Sequence, residues 1–437
     1  MIKPHGLIAA LGVLAILGGY AWWANKHPVA DTASTTPAAP KILSLAADQI
    51  QSFRLAKTGA DPIVIERTGD KWQLAGPKLL AADTDAINSL SSAVSPLNSD
   101  RLIDEHPPSL TAFGLDAPTE EIDFTMKDGK TQKLLLGSDT VSGSDTYAKL
   151  DGDPKVYTIA SSTKSAFDKS VNDLRDKRLL TLNSDKITSV TLAAKGAPVE
   201  FSKNSGGEWQ ITKPKPLRAD ASSVDDLVSK LKDSKMDLSS TPSASDFDSA
   251  TKVGTATFVD DKGPQSIEVR KAKDNTYYAK STAVEGIYKV AADVGTAIDK
   301  GVDDFRNKKL FDFGFTDPSK IDLGGKLFEK NGDKWFNGST QIDSASIQNV
   351  VDKLRDLAAA KFPDKISGTA ALAVSVTWGD KSRVDKVTFN KSGEDYIAAR
   401  DGDATAYGIE AKSFDELQKA IADIKPFQAP KAATNKK

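Results

Sequence analysis

The stretch IQSFRLAKTGADPIVIERTGDKWQL (Ile50 to Leu74) decides the fold, because the chain writes it again. A second copy, ITSVTLAAKGAPVEFSKNSGGEWQI (Ile187 to Ile211), follows 137 residues later at both its first Ile and its Trp. A shorter third copy reads IDLGGKLFEKNGDKWF (Ile321 to Phe336). Each alternates apolar and polar residues, then places a Gly-containing polar turn two or three residues before a Trp. That is hairpin chemistry: Gly supplies a positive φ, and the Trp returns on the next strand. Trp72, Trp209 and Trp335 could stack a ligand. One core anchor per unit is the simpler reading, given the apolar area a Trp buries.

Working outward, each copy is followed by an Asp and an apolar pattern of helical spacing. Asp83, Asp220 and Asp343 are the expected N-caps, their carboxylates accepting from the free N–H groups of the first turn. Ile87, Leu90 and Val94, then Val224, Leu227 and Leu231, then Ile347, Val350, Val351 and Leu354 form the buried faces. Hairpins follow, around Asp128-Gly129, Asp151-Gly152 and their counterparts up to YIAARDGDATAYGI (Tyr396 to Ile409). A closing helix then ends in DLRDKRLL (Asp173 to Leu180) and, 131 residues later, in DFRNKKLF (Asp304 to Phe311). The third closing helix, FDELQKAIADIKPF, lacks the Arg segment, and no further unit follows it. Arg175, Lys177 and Arg178, with Arg306, Lys308 and Lys309, therefore read as inter-unit joint residues. They are expected in a last helical turn, complementing the helix dipole and reaching the next unit's first strand. An anion site is the alternative, but no Gly-rich loop or second convergent donor accompanies either cluster.

Chemistry is scarce. The net charge of −2 offers no basic footprint for nucleic acid. No cysteine is present, which removes disulfides, thiolate metal sites and cysteine nucleophiles. Of three histidines, His5 and His27 flank the N-terminal apolar stretch, leaving His106 alone in the body, in a loop before two prolines. The DGD turns at Asp151 and Asp401 lack the spaced carboxylates of an EF-hand loop and read as hairpin turns. GSDTVSGSD (Gly137 to Asp145) is a loop between strands, without the Gly-Lys-Ser/Thr of a phosphate loop. No catalytic residue, cofactor or metal site is expected.

The N-terminus carries GLIAALGVLAILGGYAWWA (Gly6 to Ala24), 19 residues without a charge. As a helix it would extend roughly 28 Å, enough to cross a bilayer's hydrocarbon. Tyr20, Trp22 and Trp23 gather at its far end, as an interfacial belt would, and in AWWA a Trp occupies the critical third position before the cut, which suits a signal-peptidase site poorly. An uncleaved anchor is the expectation, followed by a tether rich in Pro, Ala, Ser and Thr.

The repeated Trp hairpin, FGLDAPT (Phe113 to Thr119), the Gly137 loop leading to Tyr147, and LRDKRLL together resemble an uncharacterised bacterial family, domain of unknown function 4340. The first unit carries the likeness best; the third departs from it by lacking the Arg segment. The resemblance implies a membrane-anchored, extracytoplasmic protein, often encoded beside ABC-transporter permeases and gliding-motility-type auxiliary components. The family has no established catalytic residues, so none is carried over.

The expected fold is α+β: three tandem repeats of antiparallel sheet with two covering helices each, after an N-terminal transmembrane helix. The segments are an anchor (1–26), a linker (27–41), repeat units at 42–182, 183–316 and 317–428, and a disordered tail (429–437). The expected function is non-enzymatic: an accessory or scaffold of a transport or cell-envelope complex, held at the bacterial inner membrane with its body outside the cytoplasm. An ABC-transporter permease is one possible partner. The alternative is an envelope glycan- or lipid-binding module using a groove between units, with an envelope hydrolase as a third reading.

Overall fold

The computed structural model describes residues 40–428. Three large antiparallel sheets follow one another along the chain, all built on one strand order. Numbered within each sheet, that order is 4-3-2-1-5-6-7-8. The first strands are Ile50–Lys57, Ser189–Ala193 and Pro318–Leu323, and each pairs on its other side with a fifth strand, Glu120–Met126, Thr251–Asp260 or Thr369–Trp378. The chain thus meanders to one edge, crosses by a helix, and meanders to the other. The first sheet gains a ninth strand, Arg101–Asp104, on its far edge, and Lys41–Leu43 pairs separately with Leu97–Asn98. The described residues fall into two compact units that divide between Lys177 and Arg178, so the first sheet stands in one and the other two share the second.

The repeated hairpins form as their turn chemistry dictates. Gly69, Gly207 and Gly332 hold φ of 61°, 82° and 60° immediately before the strands that carry the tryptophans. Trp209 and Trp335 are buried, while Trp72 is half-buried and packs on Phe53 with ring centroids 5.8 Å apart. Trp209 also donates its Nε1–H to Asp225 at 2.8 Å.

The helices are α1 (Thr84–Val94), α2 (Ser161–Phe167), α3 (Val171–Leu174), α4 (Ala221–Lys232), α5 (Ala244–Ser249), α6 (Ala292–Ile298), α7 (Ser344–Asp356) and α8 (Ala411–Ala422). Asp83, Asp220 and Asp343 cap α1, α4 and α7, accepting from backbone N–H groups at 2.8–3.0 Å. Every apolar position read from the helical spacing of these three helices is buried. Each packs against the closing helix of its own sheet: α2, α6 or α8. The short α5 has no counterpart in that reading. Asp343→Ala removes the carboxylate that accepts from the Ser346 N–H and should lower stability by about 1 kcal/mol in urea unfolding.

Among the described residues no helix is long and apolar enough to cross a membrane. The apolar stretch Gly6 to Ala24, most of the tether and the tail from 429 onward lie outside the described residues.

Candidate functional site: sockets for the linking segment

The two basic segments are extended, which corrects the helical placement expected for them. α3 ends at Leu174, and Arg175 already has φ −76°, ψ 137°. In the second repeat a short 3-10 turn ends at Asp304, and Arg306 makes a β-bridge. The reason is backbone demand. The strand edge just before each capping Asp has unpaired polar groups, and an unsatisfied buried amide or carbonyl is costly. Asp83 N–H donates to Leu174 O at 2.8 Å, and Asp176 N–H donates back to Ala81 O at 2.8 Å. Asp220 with Phe305, and Asn307 with Arg218, repeat the pattern at 2.7 and 2.9 Å. At the C-terminal end Asp343 pairs with Lys425, and Phe427 with Gln341, both at 2.9 Å. Each repeat therefore closes its own edge first, and the Arg segment is not required for that closure.

What the Arg segments add comes next in the chain. Arg178 bridges to Lys235, and Leu179 N–H donates to Ser234 O at 3.1 Å. Lys309 bridges to Ala358, and Ala359 N–H donates to Lys308 O at 2.9 Å. The partners lie just after α4 and α7, and not on the following first strand as expected. Apolar residues bracket the basic ones. Leu174 and Phe305 are buried in the preceding cores; Leu179 with Leu180, and Leu310 with Phe311, are buried in the following ones.

Two side chains from strands six and seven complete each socket, and here the repeats diverge. In the second sheet Gln265 Oε1 accepts from Thr181 N–H at 2.9 Å, and the Ser281 hydroxyl donates to Leu179 O. In the third sheet Asp385 Oδ2 accepts from Asp312 N–H at 2.7 Å, and Arg400 Nη1 donates to Leu310 O. The strand registers make Gln265 equivalent to Asp385 and Ser281 equivalent to Arg400. Gln265 and Ser281 are uncharged, with the buried Asp260 accepting from the Asn183 N–H at 2.9 Å beside them, whereas Asp385 and Arg400 form an ion pair.

The ionic socket is elaborate. Arg400 Nη2 reaches Asp312 Oδ2 at 2.7 Å and Asp385 Oδ1 at 3.2 Å, and Trp378 Nε1–H donates to Asp385 Oδ2 at 3.0 Å. Arg218, from the second sheet's edge, pairs with Asp312 and donates to Lys309 O at 2.9 Å and to Tyr407 Oη at 3.2 Å. Tyr407 in turn donates to Asp403 at 2.6 Å. Burial and this carboxylate push the Tyr407 hydroxyl above its ordinary range. Burial pulls the Asp403 carboxyl up, but hydrogen bonds from Tyr407 and Thr405 outweigh it and hold the group below the usual value. Arg306 adds a planar contact, its guanidinium carbon 3.6 Å from the Phe362 ring centroid.

Of the joint residues read from sequence, Arg306, Lys308 and Lys309 come together with this cluster. Arg175, Lys177 and Arg178 lie along the first linking segment. Arg218, Asp312, Asp385 and Arg400 were missed. Arg218 stands where the other repeats carry Ala81 and Gln341, a difference visible only once the edge pairing aligns them. His106 is exposed in its loop. Among the described residues no group of three or more His, Cys, Asp or Glu is arranged to hold a metal ion.

The family model described as Domain of unknown function (DUF4340) matches the chain twice, over residues 72–237 and 209–375. The two matches start at the tryptophans of the first and second hairpins and together span well over half of the chain. No curated protein matches. No solved structure matches either.

Proposed function

We propose, from the premise that the chain belongs to the DUF4340 family, that it is a non-enzymatic, membrane-tethered accessory or scaffold of a transport or cell-envelope complex. The observation that carries this reading is the linking segment. Between the second and third repeats it places buried Leu310 and Phe311, backbone pairs and a dedicated socket, which support a surface of defined shape there. The uncharged stretch Gly6 to Ala24 supports a single N-terminal anchor, and the family likeness supports a body outside the cytoplasm, beside a transporter permease.

The test is crosslinking in native membranes, purification through a C-terminal tag, and mass spectrometry. Recovery of one membrane complex by the wild type is expected. Its yield should fall severalfold for Arg218→Ala with Arg306→Ala, which loosens the second repeat from the third. Equal recovery by both proteins would separate the partner surface from the joint and overturn the scaffold reading.

A further inference from the structure

Outside the sockets, four buried side-chain oxygens among the described residues have no hydrogen-bond partner, one each in Glu120, Asp123, Gln132 and Thr255. Glu120 opens the fifth strand of the first sheet, 3% exposed, and its Oε1 has no hydrogen-bond partner among the described residues. It lines a cavity of about 380 Å³ with Leu55, Lys57, Ile63, Asp168 and Val171. Lys57, its cross-strand neighbour, sends its ammonium to Asp168 instead.

The other repeats show what this position becomes without a ligand. Leu55 pairs with Ile122 and Ile63, Leu192 with Ala256 and Val199, and Leu323 with Val374 and Lys326. Two residues before the fifth-strand partner stand Glu120, Gly254 and Leu372. At Gly254 a Cβ would lie 2.6 Å from Ile298 Cγ2 and 2.8 Å from Ala194 Cβ, so the middle repeat has filled the space. In the third repeat a cavity is present at this place, and Leu372 faces it. Only the first repeat combines the opening with a buried carboxyl, a group that costs free energy unless something pairs with it.

We infer that this cavity binds a compact organic ammonium ion, its N–H groups on Glu120 and its alkyl part against Leu55, Ile63 and Val171. An ammonium is the complement of an unpartnered carboxylate oxygen, supplying up to three donors and the opposite charge. The rim agrees in sign: Asp61, Asp168 and Asp173 outnumber Lys57 and Lys169. An anion would meet four carboxyl groups, and a neutral alcohol would leave the charge of Glu120 unanswered.

Burial pushes the Glu120 carboxyl above its usual range, against smaller opposite pulls from Lys57 and Lys164. The folded protein therefore keeps this proton at a pH where the unfolded chain has lost it. Stability falls as pH rises from the ordinary carboxylate range through the raised folded value. Glu120→Gln should accordingly melt higher than wild type at neutral pH and at the same temperature in acid.

The probe is n-butylammonium chloride, titrated calorimetrically into the purified full-length protein in detergent, beside n-butanol and sodium butyrate at matched ionic strength. Saturable one-to-one binding of butylammonium is expected, weakened at least about tenfold by Glu120→Gln. Glu120→Leu, the residue the third repeat carries at this place, should lose it equally while keeping the fold by circular dichroism. Absence of saturable heat, equal binding of butanol, or butylammonium binding indifferent to both substitutions would overturn the assignment.

Discussion

Arg400→Met should destabilise the second unit by about 3 kcal/mol, the lower end of what breaking a buried ion pair costs. The side chain is 11% exposed and Asp385 is 9% exposed, so removing the guanidinium leaves a desolvated carboxylate without its counter-ion. The Asp312 amide and the Trp378 indole still donate to that carboxylate, which holds the loss below the upper end. Asp312 is 37% exposed and keeps Arg218, so it can turn to water and adds little. Trp378 makes the event visible, because its fluorescence should shift when Asp385 reorganises. The middle repeat provides the control. Its equivalent socket is Thr181, Gln265 and Ser281, so Asp312→Thr with Asp385→Gln and Arg400→Ser replaces Arg400 and both its carboxylates by neutral groups, while Arg218 keeps the Lys309 carbonyl and the Tyr407 hydroxyl. Exchanging a complete buried network costs far less than orphaning one member of it. The triple variant should unfold in urea closer to wild type than Arg400→Met does. If the single change costs under about 1 kcal/mol, the ionic socket is solvated and contributes little to the joint.

This contrast also explains how much could be read beforehand. Asp83, Asp220 and Asp343, the positive-φ glycines before each Trp and the buried helix faces are local signals, carried by a few adjacent residues and a fixed period. They were legible, as were the repeated hairpins and mixed α+β class. The linking segments were legible as repeats but not in conformation. Basic residues after an amphipathic helix suit a helix C-terminus, and the competing demand sat elsewhere, in the unpaired edge before each capping Asp. The sockets were invisible for a different reason. Gln265 and Ser281 hold the same positions and hydrogen-bonding roles as Asp385 and Arg400 but differ from them in residue type and charge, so no repeat comparison of side chains would align them. Arg218 and Tyr407 meet only because the second sheet's edge reaches the third sheet's last strand. Glu120 looked like one more surface carboxylate, since burial is a property of the fold and not of the residue.

The second large effect is expected at Gly137, where a short loop and a strand approach more closely than any side chain allows. Gly137 is buried in the strand Thr131–Asp139, and a Cβ there would run into the Phe113 carbonyl oxygen and lie 3.0 Å from Leu115 Cγ. Across the contact Gly114 holds φ 64°, and a Cβ on it would lie 2.9 Å from Ser138 N. Two glycines thus meet face to face, which is why FGLDAPT and the residues before Tyr147 occur together in the sequence. Phe113 then stacks edge-on to Tyr147 at 5.1 Å, and Thr119 Oγ1 donates to the Leu136 and Gly137 carbonyls at 3.1 and 3.0 Å. The atom nearest to a Cβ on Gly137 is a backbone carbonyl oxygen, so the strain there cannot be relieved by a rotamer change. Gly137→Ala should cost about 3 kcal/mol, the upper end for an overpacked site, and free residues 110–118 to limited proteolysis. Gly129→Asn is the comparison. That glycine, at φ 82° in an open hairpin turn with nothing within 4 Å of a Cβ, needs only a left-handed backbone, which Asn tolerates. It should change stability by less than about 1 kcal/mol. Matching losses at the two positions would mean that the loop yields to a Cβ at Gly137 and merely lies beside the strand.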